Sequence, residues 1–123
     1  MKTKSRLIFL SAFFTVALAF TVPPHSIVGK WLISEPDGSK SYIDFTNAGK
    51  FTYTNNGKLL HYGNFKQSND TFSITDHECG NGYWALYKLT FIGEDSVAFA
   101  VIKDTCSGRM QQVDKGGLHR AKK

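Results

Sequence analysis

The sequence is short of the residues that build metal, redox and nucleotide sites. Among its 123 residues are only two cysteines, and they do not form a Cys-x-x-Cys pair. The sequence has no phosphate-binding loop and no pair of catalytic carboxylates. After residue 20 it has no long amphipathic helix, internal repeat or low-complexity tract. These absences argue against an enzyme and against a helical or repeat architecture. We therefore predict no catalytic residue, no cofactor and no metal ligand.

Long apolar runs are also scarce, and the one that stands out lies near the start of the chain. Three cations precede residue 7, residues 7–20 carry no charge, and Ala17-Leu18-Ala19 forms a small-x-small cleavage signal. The run is shorter than the roughly 20 residues of a membrane-spanning helix, although a retained anchor is the alternative. We predict a signal peptide over residues 1–19, a single domain over residues 20–123, and a secreted or periplasmic protein without stable membrane insertion. The predicted cleavage site has no cysteine, which argues against a bacterial lipoprotein.

An excess of positive charge is missing from the body of the predicted mature domain. The formal charge of the whole chain is +5, but three of its cations belong to the predicted signal peptide. Four more lie in the last nine residues. A nucleic-acid-binding protein usually has a basic face with aromatic residues among its cations. The distribution instead indicates a solvated basic tail, and we predict no nucleic-acid partner.

The two cysteines of an exported chain indicate one disulfide bond. A bond between Cys79 and Cys106 would close a loop of about 27 residues, and the chain-entropy model assigns roughly 3–4 kcal/mol to such a loop. A metal pair or a reactive thiol is the alternative. Metal sites in domains of this size usually need four ligands or closely spaced pairs, which favours the disulfide.

Alternating apolar and polar residues recur between turn signals along most of the predicted domain. Asn56-Gly57 is the strongest hairpin signal, because this dipeptide accepts the positive φ of a type I′ turn. Short strands separated by tight turns favour an all-β, antiparallel up-and-down barrel of about eight strands. Residues 107–117 lack the alternation and are predicted as a bulged edge or a short helical turn. The strands are predicted over residues 27–34, 40–46, 50–54, 59–67, 71–76, 82–92, 96–104 and 118–122.

The first predicted strand carries Gly29-Lys30-Trp31, which resembles the Gly-x-Trp signature that opens the barrels of lipocalins and related calycins. The resemblance implies that Trp31 closes one end of the barrel. It also implies that an arginine near the last strand lies across the tryptophan ring. Arg120 is in the right place for this role, and Arg109 is the competing candidate.

The second half of the chain resembles the cysteine pattern of short, bacterial, secreted lipocalin-like proteins. That resemblance implies a fold more than a function. The pattern in this sequence reads Asp76-x-x-Cys79-Gly80, then Gly82-Tyr83-Trp84, then Asp104-x-Cys106-x-x-Arg109.

Aromatic residues are abundant, with 10 Phe, 5 Tyr and 2 Trp. An eight-stranded barrel has an interior that side chains can fill or that can hold one small ligand. Both alternatives are open for this sequence. If there is a pocket, its lining should be aromatic, with tyrosine hydroxyls and a histidine to orient the ligand. The predicted ligand-binding residues are Phe45, Phe51, Tyr53, His61, Phe65, Tyr83, Tyr87 and Phe99.

Other polar residues have simpler interpretations. His77-Glu78-Cys79 could suggest a metal or a catalytic thiol, but a disulfide would remove the thiol. The remaining histidines are scattered along the sequence. Asp76 and Asp104 each precede a cysteine and are expected to accept hydrogen bonds from backbone amides at the corners. Asn69-Asp70-Thr71 matches a glycosylation sequon, which matters only in a eukaryotic secretory pathway.

The sequence therefore predicts an exported, monomeric barrel that binds a small hydrophobic molecule. The alternative is a disulfide-linked module that contacts another protein, for example a protease inhibitor, since calycin-like barrels include such inhibitors. In that case residues 21–26 and the loop 76–82 would be the contact candidates.

Overall fold

The computed structural model describes residues 25–80, 82–109 and 117–122. The predicted signal peptide (residues 1–19) lies outside the described residues, as does most of the segment 107–117. Within the described ranges, residues 107–109 are helical. In these same ranges no helix combines the length and the apolar character needed to cross a membrane.

Eight strands form a closed barrel in which each strand pairs antiparallel with its neighbour in sequence. The first and last strands also pair, through Trp31 with Arg120 and Leu32 with His119. The predicted antiparallel up-and-down barrel is thus confirmed. The strands are β1 Gly29–Ser34, β2 Lys40–Phe45, β3 Lys50–Asn55, β4 Lys58–Ser68, β5 Thr71–Asp76, β6 Ala85–Ile92, β7 Ser96–Lys103 and β8 Leu118–Arg120.

The strands form where side chains alternate between the barrel interior and solvent. On β3, Phe51 and Tyr53 are buried whereas Thr52 between them is exposed, as the period of two residues requires. Asn56 and Gly57 join β3 to β4 with φ values of 47° and 82°. This is the left-handed conformation that the Asn-Gly pair tolerates.

Strand β6 is shorter than predicted, because it begins at Ala85 and not at Gly82. Residues 77–80 and 82–84 lie at a corner, where Gly80 and Gly82 adopt φ values of 90° and 81°. These left-handed positions interrupt the extended backbone that a strand needs. At the other end of the chain, β8 ends at Arg120 and is shorter than the predicted strand.

Cys79 in this corner is bonded to Cys106, which follows β7. The predicted disulfide is therefore confirmed, and it ties the start of β6 to the end of β7, two strands that already pair. Its presence is consistent with an oxidising, extracytoplasmic location.

Aromatic rings fill much of the barrel interior. Phe45 contacts Phe65 and Phe72 edge to face, with centroid distances of 4.9 and 5.5 Å. Each large apolar side chain of this kind contributes roughly 1.5–3 kcal/mol when it is fully buried. Val101 on β7 falls on the same side of the sequence alternation as Val97 and Phe99, but 42% of its surface is exposed. A register shift between Leu86 and Tyr87 changes the pairing of β6 with this part of β7.

Candidate functional site

The barrel interior contains a cavity of about 240 Å³. Most of the lining comes from apolar side chains of the strands. The remainder comes from polar residues of β4 and β5, from residues 78–79, from the segment 104–109 and from the start of β8. Some of these residues are exposed, Glu78 and Gly108 among them, so the cavity reaches the surface at this end of the barrel. The lining residues are Ile33, Ile43, Phe45, Phe51, Tyr53, His61, Phe72, Ile74, Asp76, Glu78, Cys79, Tyr87, Phe99, Cys106, Gly108, Arg109, Gly117 and Leu118.

The opposite end of the barrel is closed by Trp31, which is completely buried. Its indole N–H donates to the carbonyl of Ile27 at 2.7 Å. The Arg120 guanidinium lies 4.0 Å from the centre of the tryptophan ring and donates to the carbonyls of Val28 and Ser26 at 2.7 and 2.8 Å. The arginine over the ring is thus Arg120, whereas Arg109 lies at the other end of the barrel.

Six of the eight predicted ligand-binding residues line the cavity, and two do not. Phe65 is buried beside Phe45 and Phe72, where it packs in the core away from the open space. Tyr83 precedes the start of β6, so no strand holds it on the inward face, and it packs against the edge of the core. The six that line the cavity are Phe45, Phe51, Tyr53, His61, Tyr87 and Phe99.

A buried ion pair lies beside the cavity. The Asp104 side chain is fully enclosed, and 9% of the Arg109 side chain is exposed. Arg109 donates from Nε and Nη2 to the two carboxylate oxygens, each at 2.8 Å. The carboxylate also accepts from the hydroxyl of Tyr87 and from the Cys106 amide at 2.8 Å. This arrangement fixes the guanidinium plane by a bidentate contact.

The pKa values of this group follow from burial and from the paired charges. Burial raises the pKa of Asp104, but the hydrogen bonds from Arg109, Tyr87 and the Cys106 amide outweigh it, so the pKa lies below the usual range. Burial and the neighbouring carboxylate both raise the pKa of Tyr87. The tyrosine therefore keeps its proton and remains a donor at neutral pH.

One nitrogen of the guanidinium is not used by the ion pair. Arg109 Nη1 is buried and has no hydrogen-bond partner among the described residues, while Arg109 lines the cavity. A buried N–H without an acceptor costs about 1–3 kcal/mol. Because Asp104 already balances the charge, Nη1 can serve as a hydrogen-bond donor for an acceptor atom in the cavity.

Four polar residues come together beside the same cavity opening: His61, Asp76, His77 and Glu78. His61 Nδ1 lies 3.3 Å from oxygens of both Asp76 and Glu78. His77 Nδ1 lies 3.0 Å from the other oxygen of Asp76. Asp76 is buried and accepts from the Glu78 amide at 3.0 Å, which is the corner role expected from the sequence.

The sequence did not predict this cluster, because His61 is far from His77 along the chain. The pairing of Gly63 with Asp76 brings β4 alongside the end of β5, and the His77 amide continues the ladder by donating to the Tyr62 carbonyl at 3.2 Å. His61 thereby lies next to residues 76–78. The tight turn at residues 69–70 indicates that β4 and β5 form a hairpin. Placing His61 beside residues 76–78 also requires the register of that hairpin, which the turn alone does not give.

Comparison with known proteins finds no matching family model, no matching curated protein and no matching solved structure. The resemblance of Gly29-Lys30-Trp31 to the lipocalin signature therefore stays a prediction.

Proposed function

We propose that the protein is an exported, lipocalin-like barrel that binds a small hydrophobic molecule in its cavity. The observation that carries this proposal is an apolar cavity lined by Arg109, whose buried donor Nη1 has no hydrogen-bond partner in the part of the chain that the structure describes. Ligand sites commonly combine an apolar lining with a few polar groups that fix orientation.

The volume limits the class of ligand. A cavity of about 150 Å³ lined by Leu, Ile and Phe is large enough for benzene, and this one measures about 240 Å³. Drug-sized ligands usually occupy pockets of about 300–1,000 Å³. The cavity thus suits a molecule with one aromatic ring, or a short aliphatic chain, and an acceptor oxygen that can reach Arg109.

The orientation of the ligand follows from the donor. Tyr87 and Arg109 are held on Asp104, so the guanidinium is preorganised and loses little freedom on binding. A carbonyl or ether oxygen would accept from Nη1, while the ring contacts Phe72 and Phe99 deeper in the barrel. Export agrees with the disulfide and with the apolar run over residues 7–20.

The test uses the untagged, oxidised protein and three probes of similar size. These are acetophenone, which has an acceptor, ethylbenzene, which has none, and 1-phenylethylamine, which carries a cation. We expect saturable binding of acetophenone and ethylbenzene by calorimetry or ligand-observed NMR, with acetophenone the tighter. The amine should bind weakest, because it would face the guanidinium.

Two variants locate the binding. Ile43→Phe fills the cavity and should abolish binding, whereas Thr52→Phe places the same ring on the exposed face of β3 and should leave it unchanged. The double variant Asp104→Asn/Arg109→Met removes the donor without leaving a buried charge. It should weaken acetophenone by about tenfold and leave ethylbenzene unchanged. Absence of saturable binding by the folded wild-type protein would overturn the proposal.

A contact surface for another protein is the second candidate. A register shift between Tyr53 and Thr54 leaves two adjacent leucines of β4 on the outside, and other large apolar residues are exposed at the same end of the barrel. Inhibition of trypsin, chymotrypsin, subtilisin or papain, lost in Leu60→Asp, would favour this candidate. The exposed apolar residues of this candidate surface are Leu59, Leu60, Tyr62, Val101 and Ile102.

A further inference from the structure

We propose that His61, Asp76, His77 and Glu78 form a binding site for a divalent transition-metal ion, with Zn²⁺ as the reference ion. The two imidazoles and two carboxylates would surround the ion beside the cavity opening. One ligand atom each from His61, Asp76 and His77 lie within 4.8 Å of one another. The site is separate from the Arg109 donor and does not depend on the ligand proposed for the cavity.

The distances fit a tetrahedral ion. Zn²⁺ binds nitrogen and oxygen donors at about 2.0–2.1 Å, which separates neighbouring donor atoms by about 3.3–3.4 Å in a tetrahedron. His61 Nδ1 lies 3.3 Å from Asp76 Oδ2 and 3.3 Å from Glu78 Oε2. His77 Nδ1 lies 3.0 Å from Asp76 Oδ1. Asp76 meets the two histidines through different oxygens, and the group of donors within 4.8 Å of one another does not include Glu78. The Asp76 and Glu78 side chains would therefore have to rotate to complete a tetrahedral set.

The surroundings of His61 fit a metal better than a hydrogen bond. Its Nδ1 atom is buried and makes no hydrogen bond to any described residue, although two carboxylate oxygens lie at 3.3 Å. A hydrogen bond needs the acceptor nearly in line with the N–H. A shared metal ion instead lies on the lone-pair axis of Nδ1, and the other donor atoms then lie roughly 35° off that axis for tetrahedral zinc.

The charges also match. Within the described ranges, the ion pairs of Asp76 and Glu78 are made with histidines only, and histidine is charged only when protonated. Asp76 is mostly buried, at 8% exposure, and burial of a carboxylate without a full counter-charge is costly. A divalent cation would neutralise both carboxylates, and two imidazoles favour a transition metal over Ca²⁺ or Mg²⁺.

The fold holds these donors in place before any ion arrives. The Tyr62 and His77 rings stack at 4.1 Å with an interplanar angle of 9°, and the Glu78 amide donates to Asp76 Oδ1. The disulfide at Cys79 anchors the corner directly after Glu78. Such preorganisation lowers the entropy cost of assembling a metal site.

The experiment titrates untagged, oxidised, chelator-treated protein with Co²⁺ and then Zn²⁺. We expect one equivalent of Co²⁺ to give the intense visible absorption of a four-coordinate ion, and Zn²⁺ to displace it. His61→Ala and His77→Ala should each weaken Zn²⁺ binding at least tenfold. His25→Ala, which removes a histidine from the closed end, is the matched control and should leave the affinity unchanged.

NMR of the imidazole nitrogens provides a readout that does not depend on variants. Zn²⁺ should shift Nδ1 of His61 and His77, since these atoms face the carboxylates, and should leave His25 and His119 unaffected. The proposal is overturned if the folded protein binds no stoichiometric Zn²⁺ at 100 µM. It is also overturned if binding survives His61→Ala or falls equally in His25→Ala.

Discussion

The buried pair Asp104–Arg109 offers the sharpest test of the structure, through a double-mutant cycle on stability. Removing one partner leaves the other charge buried. The Asp104 side chain is fully enclosed, so Arg109→Met leaves a carboxylate without its bidentate donor. Breaking a buried ion pair in this way costs about 3–5 kcal/mol. We expect a loss of that size in the free energy of unfolding at pH 7.

The double variant should recover part of this loss. Asp104→Asn removes the charge but keeps an acceptor for the Cys106 amide and a partner for the Tyr87 hydroxyl. With Arg109→Met added, no charge is buried, and we expect a total cost of about 1–2 kcal/mol. The double variant should therefore be more stable than Arg109→Met alone, although it carries one more substitution.

The pH dependence supplies a second criterion with a definite sign. The folded-state pKa of Asp104 lies below the ordinary value of an aspartate, so the unfolded chain takes up the proton first as the pH falls. The stabilising contribution is complete above the unfolded pKa and is lost as the pH falls through the folded pKa. The stability difference between wild type and Asp104→Asn should thus be constant from pH 7 to about pH 5 and shrink towards pH 2.

Urea unfolding followed by tryptophan fluorescence measures all four proteins, and equal m-values show that the unfolded states are comparable. Thr90→Ala, an exposed position on β6, is the control and should change stability by less than about 0.5 kcal/mol. Additive costs in the double variant would refute the pairing. So would a difference between wild type and Asp104→Asn that grows as the pH falls.

Three further perturbations test other parts of the barrel. Replacing Cys79 and Cys106 together by serine should lower the free energy of unfolding by about 3.6 kcal/mol, because the disulfide closes a loop over a sequence separation of 27. A loss below 1 kcal/mol in urea unfolding would contradict this. Arg120→Gln should lower the free energy of unfolding by about 2 kcal/mol, because it removes the cation over Trp31 and two hydrogen bonds to backbone carbonyls. An unchanged melting temperature in calorimetry would contradict this. Gly63→Ala should cost about 2–3 kcal/mol, because a Cβ there would overlap a carbonyl oxygen of β5, and Gly57→Ala, which meets open space, should cost less.

Local pattern predicts the strands well and the site only in part. Phe51, Tyr53 and Leu89 alternate with polar neighbours, and this is sufficient to predict buried strand faces. Phe65 also alternates with polar neighbours and is buried, but it packs in the core and does not line the cavity. Alternation predicts which face of a strand is buried, and it does not predict where in the interior a cavity lies. Cavities depend on how rings from several strands divide the interior.

The polar cluster depends on register, which pattern alone does not determine. His61 and His77 are separated by a turn and most of two strands, and their proximity follows from the pairing of Gly63 with Asp76. Likewise, Asp104 was expected at a corner, but its contacts with Arg109 and Tyr87 depend on where residues 104–109 lie relative to β6. Both features are long-range consequences of topology.

The closure of the barrel has a consequence for how the chain folds and opens. Every strand pairs with its sequence neighbour, so seven of the pairings can form hairpin by hairpin at low loop-closure cost. The eighth pairing, between β1 and β8, joins residues about 90 positions apart. The entropic cost of closing a loop of this length is about 4 kcal/mol. Only two residue pairs connect β8 to each neighbour, and Arg120 adds its bonds across the join. We therefore expect this join to form last in folding and to open first in the native protein. Amide exchange should then be faster at Leu32, whose N–H faces β8, than at Trp31, whose N–H faces β2.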